Sequence, residues 1–275
     1  GQPPRHIGTP RPCIWLKGVN GRTGFKEVQI SVRQLRTEFF IHEYKPEIRG
    51  PFRPLHGICS WIMKLYTYTA APSPRRVHLF LAEKGIEITQ QTVDLAAGEH
   101  LRQAFAMINP ALTVPALVLD DGTCLAEPIA ICSYLEELHP DLPLMGSDPL
   151  ERALVLERNH WAETHGLLAV MEGFRNRSKA MADRALTGPR DVEQIPELAE
   201  RGRQRYRWFL EDLDRLLGET DFLAGERFSM ADITAWVTME FAKWAIRRPV
   251  TEDLSNCRRW QTRLKSRAGF RQDSR

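Results

Sequence analysis

The sequence has no long apolar run and no closely paired cysteines, and both absences narrow the kind of protein that it encodes. No stretch of its 275 residues approaches the ~18 consecutive apolar residues of a membrane span, so we expect no membrane partner. The five cysteines contain no Cys-x-x-Cys motif and do not make a disulfide framework, which favours a reducing, cytoplasmic location. The net charge of +3 is too small to indicate nucleic-acid binding.

Methionine is missing from residues 1–62, whereas the rest of the chain has seven. The same segment has 10 Lys and Arg against 4 Asp and Glu, and it holds seven of the 18 prolines and seven of the 18 glycines. This break in composition predicts an N-terminal extension outside the core fold, with Met63 as the natural start. A basic arm that binds an acidic partner is the alternative.

Residues 63–141 alternate between strand-like and helix-like patterns. The cluster of Ala71, Pro72, Ser73 and Pro74 ends the first predicted strand, so we expect the first helix to begin after it. Asp121-Gly122 between two apolar runs is a strong hairpin signal. The order β-α-β-α-β-β-α predicts a thioredoxin-like four-stranded mixed sheet with helices on its faces. The predicted elements are strands at 64–70 and 86–93, helices at 75–85, 98–108 and 128–140, and the hairpin.

Residues 148–270 have helical periodicity only, which predicts a second, all-helical domain. The fold class is therefore α/β plus all-α, with the thioredoxin-like domain at 63–141 and a helical bundle after it. Ser229 and Asp232 have the spacing of a capping box, so we assign them a structural role. The predicted helices cover 149–174, 197–218, 228–246 and 254–267.

Four segments, in this order, resemble the cytosolic glutathione S-transferase superfamily: GEH (98–100), NPALTVPALVLDDG (109–122), LAEPIAICSYLEE (125–137) and SMADIT (229–234). The resemblance covers residues 63–250 and is strongest to the bacterial and fungal branch typified by the second yeast enzyme. It implies a glutathione transferase, in which bound glutathione thiolate attacks a small hydrophobic electrophile. It also implies glutathione as co-substrate, a homodimer, and no metal. A non-catalytic scaffold or regulatory binding module of the same fold, and a glutathione-dependent isomerase or dehalogenase, are the alternatives.

The resemblance assigns glutathione binding to a set of residues at the predicted sheet and the helix that follows it. Pro115 stands where the family has a cis-proline, which presents the backbone of Val114 to the cysteinyl part of glutathione. Glu127 would accept the α-amino group, and the amide of Ile129 at a helix start would hold the γ-glutamyl carboxylate. His100 would contact the glycine carboxylate.

Pro128 departs from the family pattern. Most members have a serine there, which offers a hydroxyl and an amide to the substrate carboxylate, and proline offers neither. We therefore expect the amide of Ile129 and the helix start to bind the substrate carboxylate, and we expect glutathione to bind more weakly.

Family members lower the pKa of the glutathione thiol with a hydroxyl or thiol near the end of the first strand. Ser73 is the best-placed hydroxyl here, although an ordinary turn serine is an equal alternative. The yeast-like branch instead uses two residues of the helical domain, and their positions here hold Met171 and Arg175. Arg175, or Asn176 beside it, is therefore the second candidate for thiol activation. The resemblance places the electrophile between the domains, near Trp161, His165, Leu168 and Phe174.

Overall fold

The structure, a computed structural model, describes residues 63–271. The predicted N-terminal extension lies outside these residues. The first elements are β1 (Lys64–Thr67), α1 (Pro72–Lys84), β2 (Thr89–Thr92), α2 (Gln103–Ala106), β3 (Ala116–Val118), β4 (Cys124–Leu125) and α3 (Pro128–Leu138). They are followed by α4 (Pro149–Trp161), α5 (Leu168–Arg175), α6 (Pro196–Glu219), α7 (Met230–Ala245), α8 (Ser255–Lys265) and α9 (Ala268–Arg271).

The four strands form one mixed sheet in the order β2-β1-β3-β4. β1 and β2 are parallel, and β3 is antiparallel to both β1 and β4. This confirms the predicted fold class: a four-stranded mixed sheet with helices, followed by helices alone. We call residues 63–138 the sheet part and 149–271 the helical part; the domain boundaries proposed from the sequence stay a prediction.

Strand β1 ends before the proline cluster, as predicted, but helix α1 begins at Pro72, so the predicted helix start at residue 75 was wrong. Proline fits the first turn of a helix because the N–H groups there have no partner within the helix. The helix ends at Gly85, whose φ of 65° is the left-handed conformation that glycine adopts most easily. Its inner face buries Val77 and Phe80 completely.

The long helix predicted at 149–174 is interrupted by a π-helical turn at Ala162–Leu167. Arg205 of α6 donates a hydrogen bond of 2.7 Å to the Thr164 carbonyl, and the Thr164 hydroxyl donates one of 2.8 Å to the His160 carbonyl. Gly166 lets α6 approach, because a Cβ there would lie 2.9 Å from the ring of Phe209. The helix predicted at 98–108 is likewise divided into a 3₁₀ turn (Glu99–Leu101) and the short α2.

Two buried acids hold distant segments together. Asp232, at the start of α7, is fully buried and accepts hydrogen bonds from the Ser229 and Leu223 amides and from Trp260 Nε1. Burial raises the pKa of Asp232 to about 6, although these bonds oppose the rise. The capping box predicted for Ser229 and Asp232 is present. Glu136 of α3 pairs with Lys84 of α1 at 2.7 Å.

Among the helices between residues 63 and 271, none combines the length and the apolar character needed to cross a bilayer.

Candidate active site

Residues predicted to bind glutathione lie at one end of the sheet. Leu117 of β3 pairs with Leu125 of β4, and continuing this antiparallel register by two residues places Pro115 opposite Glu127. The same end holds the carboxyl ends of β1 and β2, because Thr67 pairs with Thr92 in parallel. The chain leaves β1 there toward Ser73 and leaves β2 toward His100. The fold therefore brings four separate sequence segments to the same end of the sheet.

The loop before β3 has backbone groups that are available for hydrogen bonding to a ligand. The Val114–Pro115 peptide bond is cis. The buried side-chain amide of Asn109 donates to the Thr113 carbonyl at 2.8 Å, and its oxygen accepts from the Ala111 amide at 3.0 Å. Among the described residues, neither the N–H nor the C=O of Val114 bonds to the backbone of another residue. This leaves one donor and one acceptor for an extended ligand.

Glu127 stands immediately before α3 with its side chain exposed. Pro128 is the first helical residue and has no N–H, so Ile129 and Ala130 carry the first free amides of the helix. The Glu127 carboxylate makes no capping bond to these amides. The helix end can therefore accept an anion while Glu127 accepts a cation beside it.

Two arginines of the helical part lie near His100. Arg175 Nη1 donates to the carbonyls of Arg184, at 2.8 Å, and Leu186, at 3.2 Å, and so fixes the segment that follows α5. The same segment approaches the sheet part at Gly188, where a Cβ would lie 3.7 Å from the Ala111 carbonyl oxygen. Burial, followed by the charges of Arg184 and Arg175, lowers the pKa of His100.

His100 itself has an unsatisfied ring atom. Its Nδ1 is buried and has no hydrogen-bond partner among the described residues. A buried polar atom without a partner costs free energy, and an incoming acceptor or donor would recover it. Arg184 was missed by the sequence analysis, since nothing in its local pattern indicates that it comes close to His100.

Ser73 is the second residue of α1 and is half-buried. Pro72 and Pro74 on either side lack N–H groups, so the start of α1 has few free amides to offer to an anion. Arg76 Nη2 lies 3.5 Å from Ser73 Oγ as a donor, and Arg76 Nη1 pairs with Glu163 of the π-helical turn at 3.0 Å. Arg76 is 1% exposed, so this contact links Ser73 to a buried charge.

Arg175 is not joined to Ser73 by any hydrogen bond or ion pair among the described residues. Its Nη1 is occupied by two carbonyls of the helical part. Burial, with the charge of Arg184 second, lowers the pKa of Arg175. Within residues 63–271, the two residues proposed for thiol activation therefore have separate partners.

The residues predicted near the electrophile divide into two groups. Trp161 and His165 stack with ring centroids 6.3 Å apart. Phe174, beyond the π-helical turn, packs instead on Trp244 at 5.4 Å, and Trp244 is itself 56% exposed. Leu168 lies between them in sequence and is exposed.

No group of three or more His, Cys, Asp or Glu side chains within residues 63–271 is arranged to hold a metal ion.

Comparisons with known proteins identify the family. A model of the glutathione S-transferase N-terminal domain matches residues 71–138, and a model of the C-terminal domain matches 196–263. The chain is 34% identical over 208 residues to glutathione S-transferase 2 of Saccharomyces cerevisiae, which is 74% of this chain and 86% of the yeast protein. The crystal structure of Gtt2 from that yeast superposes with a TM-score of 0.70 at 31% identity, covering 76% of this chain and 99% of the other.

Two further relatives are not named as glutathione S-transferases. Maleylacetoacetate isomerase of Pseudomonas aeruginosa is 45% identical over 93 residues, which is 33% of this chain and 44% of that protein. FtsZ-localized protein A of Caulobacter vibrioides is 28% identical over 210 residues, 75% of this chain and 88% of the other. The family models, the identity to the yeast enzyme and the shared fold confirm the resemblance drawn from the motifs: the chain belongs to the glutathione S-transferase family.

Proposed function

We propose that this protein is a glutathione transferase, in which bound glutathione thiolate attacks a small hydrophobic electrophile. The observation that carries the proposal is the Val114 backbone, which has no backbone partner within residues 63–271 and lies beside a cis-proline, opposite Glu127 and the start of α3. An extended peptide can add to Val114 as a short strand, while Glu127 receives its amino group. The relationship to the yeast transferase supports the same activity.

The binding roles follow the geometry from one end of the tripeptide to the other. Ile129 and the start of α3 hold the γ-glutamyl carboxylate, and Pro128 leaves this end with one donor fewer. His100 and Arg184 hold the glycine carboxylate, with Arg175 positioning the segment that carries Arg184. The positive charges of Arg184 and Arg175 in the helical part thus compensate for the hydrogen-bond donor that is missing at Pro128.

Ser73 is the proposed thiol activator, and Arg76 is its positioning residue. An unperturbed thiol has a pKa near 8.5, and lowering it by ~2 units requires ~2.7 kcal/mol of stabilisation of the thiolate. Because Arg76 donates to Ser73 Oγ, the serine O–H is free to donate to the sulfur. Arg175 remains the alternative activator, although its contacts favour a role in binding.

We also infer a homodimer and a cytoplasmic location. Leu150 and Leu154 lie one turn apart on α4 and are 70% and 38% exposed, which supports an apolar contact with a second copy. Cys124, Cys132 and Cys257 are free thiols, as expected in a reducing compartment.

The test is a glutathione titration of the full chain that follows thiolate ultraviolet absorbance against pH. We expect saturable binding and a bound-thiol pKa well below 8.5. Ser73→Ala should return that pKa toward the free value while binding is retained, and Ser266→Ala, on an exposed serine in the helical part, serves as the matched control. No binding at millimolar glutathione would reject the proposal in favour of a non-catalytic binding module.

A glutathione-dependent isomerase is the second candidate, and the local match to maleylacetoacetate isomerase favours it. The two reactions differ in whether glutathione is consumed. Conjugation consumes one glutathione for each product, whereas isomerisation returns it unchanged. Measuring free thiol during turnover of maleylacetoacetate and of an aryl halide separates them.

A further inference from the structure

The outer face of helix α8 carries positive charge only. Residues 255–271, which form α8 and α9, contain six Lys and Arg and no Asp or Glu. The inner face of α8 is apolar, because Cys257, Trp260 and Leu264 are buried against the rest of the helical part. None of these residues belongs to the candidate active site, so the proposed function leaves the outer face without a role.

The exposed side chains of α8 form two adjacent rows along the helix. Residues three or four positions apart lie on the same side of a helix, one turn above each other. One row consists of Arg258, Thr262 and Lys265, and the other of Arg259 and Arg263, all of them exposed. The face therefore presents cations at the spacing of helical turns.

Carboxylates of the same chain compensate only part of this charge. Arg258 pairs with Glu252 at 3.4 Å, but the Glu252 side chain is 95% exposed, so water weakens the pair. Arg259 donates to the Leu217 carbonyl at 2.6 Å, which leaves its positive charge unbalanced. Within residues 63–271, neither Arg259 nor Lys265 has a carboxylate at ion-pair distance. An acidic partner would supply the missing negative charges.

The positive surface is short and has acids at its borders. Helix α8 has 11 residues, which correspond to a length of about 16 Å. Glu252 and Asp253 precede it, and Asp221 lies beside it, paired with Arg263 at 2.8 Å. A nucleic-acid duplex that extends beyond α8 would bring its phosphates close to these carboxylates. The size of the surface therefore favours a single helix as the partner.

A bilayer surface fits this face less well than a protein does. Helices that lie on membranes insert an apolar face between the lipids, whereas the apolar face of α8 is buried in the fold. Between the cations stands Thr262, whose hydroxyl donates to the Arg258 carbonyl at 3.0 Å. This short side chain, already bonded to its own helix, leaves room for the side chains of a partner between the two rows.

We propose that the outer face of α8 binds an acidic helix of a partner protein. Glutamates one turn apart on that helix pair with Arg258, Arg259 and Lys265, and the partner packs over Thr262. Exposed ion pairs of this kind select the partner and its orientation more than they add affinity. The contact is therefore sensitive to salt.

The experiment follows the fluorescence anisotropy of a labelled peptide as the full chain is added at low salt. The probe is an acetylated alanine-based helix with glutamate at every fourth position, and its isomer has the same composition with all glutamates in one block. We expect the spaced peptide to bind saturably and the isomer to bind several-fold more weakly. High salt should abolish both.

Replacing two exposed cations of one row tests the face itself. Arg258→Gln combined with Lys265→Gln should weaken the spaced peptide about tenfold, the effect of losing two exposed ion pairs. The melting temperature should stay the same, because neither side chain is buried. Lys179→Gln combined with Arg190→Gln is the matched control: it removes the same two residue types from exposed positions elsewhere and should leave binding unchanged.

Four results would overturn the proposal. They are the absence of saturable binding of the spaced peptide, equal affinity for its isomer, an equal loss of affinity in the control double variant, and tighter binding of a DNA duplex or of phosphatidylglycerol vesicles that the α8 double variant removes. The last result would assign the face to nucleic acid or to a membrane instead. None of these outcomes depends on glutathione, so failure here is distinct from failure of the proposed function.

Discussion

Replacing Gly202 with alanine tests how tightly the two helices behind the candidate site pack. Gly202 of α6 faces α5, and an added Cβ would lie 2.6 Å from both the Ala169 carbonyl oxygen and the Gly173 nitrogen. Both are backbone atoms, so no side-chain rotation relieves the overlap. The helices must separate by about 1 Å to restore ordinary contact distances.

The expected cost follows from two opposing effects. Overpacking of a close contact costs about 1–3 kcal/mol, while alanine in place of glycine stabilises a helix interior by about 1 kcal/mol. We expect Gly202→Ala to lower the free energy of unfolding by about 1–2 kcal/mol, since overlap with backbone lies at the upper end of this range. For a chain of this size each kcal/mol lowers the melting temperature by about 2–4 °C.

Gly218→Ala on the same helix is the matched control. Its Cβ would lie 3.2 Å from Nδ2 of the Asn256 side chain, so the overlap is smaller and involves no backbone atom. It has a similar gain in helix propensity without the backbone overlap, so we expect it to be neutral or slightly stabilising. Urea unfolding of both variants gives the comparison. If Gly202→Ala is as stable as Gly218→Ala, the close packing of α5 on α6 is wrong, and with it the position of Arg175.

Three further perturbations probe buried charge. Arg76→Met should lower the free energy of unfolding in urea by about 2–3 kcal/mol. This is less than for a fully buried ion pair, because the Glu163 side chain keeps 29% of its exposure. An unchanged unfolding midpoint would contradict the ion pair. Asp232→Asn puts a side-chain NH₂ group where the carboxylate accepts hydrogen bonds from N–H donors. We therefore expect the free energy of unfolding to fall by about 2–4 kcal/mol in the same assay. A fall of less than about 1 kcal/mol would contradict the importance of these bonds. His100 has a lowered pKa, so below pH 6.5 the unfolded chain binds a proton that the folded chain resists. Relative to His100→Gln, the parent protein should therefore lose stability between pH 7 and 5, and parallel pH profiles would exclude this.

Local signals account for the parts of the site that could be predicted. Asp121-Gly122 gives the hairpin because its backbone conformation is cheap only for such residues, and the hairpin register then fixes Glu127 opposite Pro115. The capping box at α7 was equally visible, since both partners lie within one turn. These features depend on neighbours in sequence.

Long-range contacts account for what was missed. Arg184 belongs to a segment without periodicity, and this segment is held near His100 by hydrogen bonds from Arg175. Glu163 reaches Arg76 across the two parts of the fold. Neither pairing leaves a pattern in the local sequence, so only the tertiary structure indicates them.

Helix geometry explains why the residues predicted near the electrophile divide into two groups. At 100° per residue, His165 lies about 40° from Trp161 around a regular helix, whereas Phe174 lies about 180° from His165, so helical spacing alone puts them on different faces. Beyond the π-helical turn, Phe174 packs on Trp244. The turn itself is bound from α6, where Arg205 donates to the Thr164 carbonyl. If the electrophile binds beside Trp161 and His165 as proposed, Arg205→Met should change the ratio of kcat/KM values for two electrophiles while the Kd for glutathione stays the same, and a change in glutathione binding alone would contradict this.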